Sequence, residues 1–162
     1  MTVIRFFDAV TAGNIPPGRY AALYLDGDFR AGAAESLAHP HHRWITVLGD
    51  PDAGCADYEP GNEVYERPGA LRAWAQARAA ESKRSRVYCD RADAAKAAAG
   101  VKGIPHLWWI STLDGKRWTA AELAADLAAH WGVVISPGHI WANQYQGGPH
   151  ASEDVSDLFG EW

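Results

Sequence analysis

Two acids two residues apart, Asp57 and Glu59 in the segment Ala56-Asp57-Tyr58-Glu59-Pro60-Gly61-Asn62, are the residues whose type and spacing point most directly to chemistry. Side chains on a strand alternate faces, so both carboxyls point the same way, roughly 6 to 7 Å apart along the backbone. Two carboxyls held together do not ionise independently. One pKa rises, which leaves a protonated acid beside a charged carboxylate near neutral pH. Glycoside hydrolysis uses that division: an acid for the leaving oxygen, and an anion facing the positive charge that develops at the sugar carbon. Taken alone the pair is common, and it reads equally as a turn residue ahead of Pro60-Gly61 followed by a solvated charge.

Further acids gather where strand-like runs end. Asp8 follows Ile4-Arg5-Phe6-Phe7, Asp26 follows Ala22-Leu23-Tyr24-Leu25, and Asp154 and Asp157 come after a strand-like run ending at Tyr145. In parallel α/β folds the ligand site lies at the carboxyl ends of the strands, so acids at several successive ends point to a shared pocket. Asp8 and Asp26 also read as loop caps. Tyr88 and Asp90 close another run and border the same mouth, although packing explains Tyr88 and a helix N-cap explains Asp90. Trp108 and Trp109 are adjacent and must face opposite ways, so at least one belongs to the core.

The elements that position these residues alternate between short β-rich runs and Ala-rich helical runs, the pattern of a parallel α/β sheet or barrel. The strand candidates are Val3 to Val10, Arg19 to Asp26, Trp44 to Gly49, Cys55 to Glu59, Arg86 to Cys89, Leu107 to Ser111, Val133 to Ile135 and Ile140 to Tyr145. Pro68 opens a helix running to about Ser82, with Leu71, Trp74 and Ala75 on one face. Asp90 caps an Ala-rich helix that Gly100 ends. Thr119 and Glu122 form a capping box for a helix with Leu123 and Leu127 inside and Gly132 as its stop. A shorter helix spans Ala33 to Ala38. The expected fold is a single α/β domain over residues 1–162, an abridged barrel of about eight short strands and three to four helices.

Composition narrows the partners. A formal charge of −5 with eleven scattered arginines and four lysines argues against nucleic acid, which needs a basic stripe. The Lys83-Arg84-Ser85-Arg86 run reads as a solvated helix end. No apolar run is long enough to span a membrane, and the chain enters a strand-like pattern directly, without a signal peptide. Cys55 and Cys89 are too few for a disulfide framework and read as buried free thiols. His39, His41 and His42 surround Pro40, but no further ligands at metal-site spacing accompany them, so neither a metal nor another cofactor is expected. Eight tryptophans are unusual. Such faces fill cores and also stack on sugar rings.

Several short motifs, in order along the chain, carry a resemblance. Ile4 to Val10, Trp44 to Asp50, Ala56 to Asn62, Val87-Tyr88-Cys89-Asp90, Leu107 to Ser111, Ala142-Asn143-Gln144-Tyr145 and Asp154-Val155-Ser156 together resemble glycoside hydrolase family 25. More closely, they are similar to short family-25-like domains of unknown function from actinobacteria and their phages. The resemblance implies a flattened (β/α) barrel and muramidase activity of lysozyme type on peptidoglycan. It implies Glu59 as general acid, Asp57 steadying the reacting N-acetyl group or the oxocarbenium-like centre, and Asp8 and Asp154 as further pocket acids. It also implies that Trp109, Gln144 and Tyr145 line the sugar cleft, where Asp26 and Tyr88 are candidate neighbours.

Departures from the family pattern matter. Leu113 stands where relatives carry an aromatic shortly after the strand-six tryptophan, which removes one stacking wall. The chain is shorter than the family's catalytic domains and carries neither a wall-binding module nor an export signal. The expectation is a peptidoglycan-directed glycosidase made in the cytoplasm, released with phage lysis or carried in a virion. The main alternative is a non-catalytic carbohydrate-binding or virion structural protein that keeps the barrel. A metal-dependent hydrolase using the acids as ligands is a third, with less support.

Overall fold

A computed structural model of the chain describes residues 4–9, 11–147 and 154–162. Eight strands pair in chain order into a closed barrel: β1 (Ile4–Asp8), β2 (Ala21–Tyr24), β3 (His42–Thr46), β4 (Cys55–Asp57), β5 (Arg86–Asp90), β6 (Leu107–Ser111), β7 (Ile140–Gln146) and β8 (Asp154–Leu158). Five α-helices lie between them: α1 (Ala33–Ala38), α2 (Glu63–Glu66), α3 (Ala70–Ala80), α4 (Ala94–Gly100) and α5 (Ala120–His130). The fold is therefore a mixed α/β barrel with one helix more than expected. The extra one, α2, has a single turn and too few residues to show a helical period. Among the described residues, no helix is long and apolar enough to cross a membrane.

Neighbouring strands from β1 to β7 run parallel. β8 closes the barrel antiparallel to both β1 and β7. Two expectations fail here. Val133 to Ile135 is not a strand; Val133 and Ile135 are buried against the helical layer, without a ladder partner. Conversely, Asp154–Leu158 reads as polar loop because Asp154 and Ser156 alternate with Val155 and Asp157, leaving polar groups on both faces. Barrel closure overrides that composition. The predicted ends Val3 and Val10 of the first strand lie outside the described residues.

Local signals set most helix ends. The Thr119 hydroxyl accepts from the Glu122 amide at 3.2 Å while Glu122 accepts from the Thr119 amide at 2.9 Å, the reciprocal capping box that starts α5. Asp90 accepts from the Ala92 amide at 2.9 Å and caps a 3-10 turn leading into α4. α3 begins two residues after Pro68, because Gly69 adopts φ 80° and interrupts the helical path.

Side-chain alternation divides the core into layers. A cluster drawing residues from all eight strands fills the barrel, with Phe6, Tyr24, Cys55, Tyr88, Trp109 and Leu158 among its members. The alternate residues Ala56, Val87, Cys89, Trp108 and Ile110 face outward onto Leu71, Trp74, Ala94, Leu123 and Leu127 of α3, α4 and α5. Both cysteines are free and buried. Inside the barrel the Trp109 ring packs edge-on against Phe6 at 4.9 Å and Tyr88 at 4.7 Å, contacts worth about 1 kcal/mol each beyond burial. Its indole N–H donates to the Ser156 hydroxyl at 3.0 Å, tying β6 to β8 across the interior.

Removing that acceptor leaves a buried donor unmet. Ser156→Ala is expected to lower unfolding free energy by about 2 kcal/mol in urea titrations, and unchanged stability would contradict this packing.

Candidate active site

The carboxyl ends of seven parallel strands and the amino end of β8 share one rim of the barrel. Asp8 ends β1, Asp57 ends β4, and Glu59 follows two residues later. Asp154 begins β8 directly opposite Asp8 in the β1–β8 ladder, because β8 runs the other way. Four acids from three segments thus come to one mouth. Gly147 permits part of this: its φ is 148°, and a Cβ there would collide with the Asp154 carboxylate.

Burial and mutual repulsion govern how these groups ionise. Asp57 is 3 % exposed, and burial, then the charge of Glu59, push its carboxyl up to about 8. The Tyr24 hydroxyl opposes this by donating to Asp57 Oδ2 at 3.0 Å. Asn62 donates to the Asp57 carbonyl at 3.1 Å and ties down the turn that carries Glu59. Burial, with Asp154, Asp57 and Glu59 adding to it, holds Asp8 well above the usual carboxyl range. Glu59 is also raised, first by burial; the Tyr88 hydroxyl counters this, and Asp90 and Asp154 add to it. Tyr24 and Tyr88 are pushed well up by burial and the neighbouring acids, so both phenols stay neutral donors.

The charges that chiefly act on Asp8, Asp57 and Glu59 are all carboxylates. Asp8 Oδ1, Asp57 Oδ1 and Gln144 Oε1 are buried without a hydrogen-bond partner among the described residues. Buried polar atoms are nearly always paired, so three unmatched ones at a single barrel end mark a place for a polar ligand. Among the described residues, no group of three or more His, Cys, Asp or Glu side chains is arranged to hold a metal ion. The arrangement can hold a proton on Asp57 near neutral pH and donate one through Glu59, the least enclosed of Asp8, Asp57 and Glu59.

Of the other expected site residues, Trp109 and Gln144 stay inside the barrel, whereas Asp26 and Tyr145 are directed elsewhere. Asp26 accepts from the Thr46 hydroxyl, from the Val47 amide at 2.8 Å and from the Leu48 amide at 3.3 Å, so its carboxylate anchors the loop after β3. Trp109, 1 % exposed, is the floor beneath the acids rather than a wall open to a sugar. Gln144 and Tyr145 part company because neighbouring strand residues face opposite ways. Gln144 pairs with Ser156 and Ser111, whereas the Tyr145 ring sits 5.8 Å from the Arg117 guanidinium on the outer face. Asp157 is on that face too, bonded to Arg117 Nε at 2.6 Å. The histidines near Pro40 serve packing: His39 is buried, His41 stacks on Tyr20 at 5.2 Å, and His42 meets Trp44 edge-on at 4.6 Å.

Two residues at the mouth escape the reading of motifs. Tyr24, which grips Asp57, is placed by simple alternation with Ala22 along β2. Phe29, 47 % exposed, packs at 5.8 Å from Tyr24 and offers an aromatic face on the rim. No signal in the sequence distinguishes it from an ordinary loop residue. Beside it opens a cavity of about 370 Å³ lined by Gly27, Phe29, Leu48 and the Pro60–Glu63 turn next to Glu59.

No protein-family profile, curated protein or solved structure matches the chain.

Because folded Asp57 keeps a proton that the unfolded chain releases near pH 4, the native state binds more protons between about pH 4 and about 8, and stability falls as pH rises through that window. Asp57→Asn is expected to be more stable than the parent at pH 8, by on the order of 2 kcal/mol, with the gap closing at pH 4; urea melts at both values check this. Asp26→Ala, which orphans the Thr46 hydroxyl and two amides, is expected to cost roughly 1–3 kcal/mol in the same assay.

Proposed function

We propose that this barrel is a glycoside hydrolase of lysozyme type acting on peptidoglycan, with Glu59 as general acid and Asp57 as the partner carboxyl. The observation that carries the reading is the convergence of Asp8, Asp57, Glu59 and Asp154 at one barrel rim, where burial and mutual charge raise the first three above their ordinary range. Glu59 is the least enclosed of those three and sits on a turn, which suits proton delivery to a leaving oxygen. A neighbouring carboxyl that releases its proton as the bond breaks supplies negative potential at the sugar carbon. In a water-poor mouth that potential acts with little screening. Phe29 provides an apolar face for a sugar ring, and the adjoining cavity offers room for a second sugar or its substituent.

The peptidoglycan target and the family-25 assignment rest on the ordered motifs from Ile4 to Ser156, of which the Asp57/Glu59 pair and Asp8 sit at the rim. On this reading the barrel is an abridged relative of the (β/α) barrels of that family. A second reading, a carbohydrate-binding or virion structural protein without turnover, draws support from how deeply Asp8 and Asp57 are enclosed.

Cell-wall clearing with identification of the released reducing ends separates the two. Glu59→Gln is expected to lower the rate by about 10²–10⁴-fold while binding to walls persists. Clearing by the variant at the parent's rate would remove Glu59 from the mechanism, and wall binding by the parent without any released ends would favour the second reading.

A further inference from the structure

The opposite end of the barrel is basic. Arg43 lies in β3, Arg86 opens β5, and Arg78 comes from α3 to the same place. With Arg84, Lys83 and Trp162 they line a cavity of about 370 Å³. The Lys83 to Arg86 run is thus only partly the solvated helix end its composition suggests. Lys83 and Arg84 remain exposed, but the strand carries Arg86 inward to 6 % exposure.

Among the described residues, no carboxylate forms an ion pair with Arg43, Arg78 or Arg86. Asp52, the one acidic side chain among the described residues that line the cavity, is paired with Lys83 at 3.3 Å. Arg78 donates to the Pro51 carbonyl at 2.7 Å and the Arg84 carbonyl at 2.5 Å. Arg86 faces the Trp141 ring at 4.6 Å, and Arg43 the Trp162 ring at 5.6 Å. The Nε atoms of all three arginines are buried without a partner. Arg86 Nη1 and Arg78 Nη2 both approach the open face of Gly54, at 3.7 and 3.9 Å from where its Cβ would stand.

Burying an unpaired cation costs several kcal/mol, and gathering several such cations adds repulsion. Burial first, with Arg43, Arg78 and Arg84 adding to it, pushes Arg86 down to about 10, which still leaves it charged at neutral pH. A structural role for Arg86 would ordinarily place a carboxylate beside it. A ligand that brings the negative charge accounts for the arrangement without one.

We propose that this cavity binds a compact oxyanion of the phosphate class, held by Arg43 and Arg86 from the barrel and Arg78 from α3. Several guanidinium forks converging on one space match a tetrahedral dianion, whose oxygens accept in several directions, better than a single planar carboxylate. The cavity is larger than phosphate itself, and the Trp162 ring on its wall leaves space for an organic group carrying the phosphoryl. The site lies at the strand ends remote from Asp57 and Glu59, and it does not depend on what the acidic mouth does.

Calorimetric titration and thermal melts at constant ionic strength, with inorganic phosphate and phenyl phosphate as probes and chloride as the balancing salt, test this. Saturable binding of phosphate with a rise in melting temperature is expected. Tighter binding of phenyl phosphate would identify a phosphorylated organic ligand, and equal binding a free ion. Arg43→Gln, at a half-buried position that does not threaten folding, is expected to weaken phosphate at least tenfold, as is Arg86→Gln if it folds. Lys116→Gln, at an exposed lysine outside the cavity, is expected to leave binding unchanged. Absence of a saturable response in the parent, or Arg43→Gln and Lys116→Gln binding alike, would overturn the proposal.

Discussion

An antiparallel last strand closes the barrel, and the acidic mouth depends on that closure. Were β8 parallel to its neighbours, its amino end would lie at the opposite rim and Asp154 with it. Running antiparallel, it sets Asp154 against Asp8 and brings a fourth carboxyl to a rim where strand ends already deliver three. The same strand supplies Ser156, whose hydroxyl receives the Trp109 indole and fixes the aromatic floor under the acids. Closure, floor and charge crowding are therefore one construction, and a change to β8 acts on all three.

That construction is costly in isolation. Asp8 and Asp57 are buried beside other carboxyls, and the group avoids several adjacent negative charges by keeping protons near neutral pH. At the other rim, Arg43, Arg78 and Arg86 crowd together with no acid paired to them among the described residues. Arg86 and Asp90 stand four residues apart on one strand, about 13 Å at strand rise, so the barrel sets carboxyls at one end and guanidinium groups at the other across a packed interior. Proteins keep such unfavourable placements where binding or catalysis uses them, and the surrounding packing offsets them. The aromatic cluster of Phe6, Tyr88, Trp109 and Trp141 separates the two ends and supplies much of that offset.

Much of the barrel is legible in residue pattern because its signals are local. The Thr119–Glu122 capping box, Asp90 as a cap and the apolar runs of β1, β5 and β6 depend only on neighbours a few residues away. β8 is not legible, since its polar alternation acquires meaning only between β1 and β7. Val133–Ile135 shows the converse, an apolar triplet that packs without pairing. Within the site, alternation places Asp57 and Glu59 together, and the strand-end rule adds Asp8. Asp154 reaches the rim for a reason absent from the sequence reading, as the start of a strand rather than the loop after one. Asp26 and Tyr145 share the residue types of a sugar site, but Asp26 is taken up by the Thr46 and Val47 loop, and Tyr145 is turned outward beside Arg117. Arg86 reads as solvated because only the strand's direction sends it inside.

The central claim is that burial and mutual charge keep carboxyls at this mouth protonated near neutral pH. Carbon-13 NMR of the side-chain carboxyls of Asp8, Asp57, Glu59 and Asp154, followed from pH 3 to pH 9, reads that directly. The account predicts that Asp57 titrates near pH 8 with a curve linked to Glu59, and that Asp8 titrates well above the ordinary carboxyl range. Independent titration of all four carboxyls at about pH 4 would contradict it.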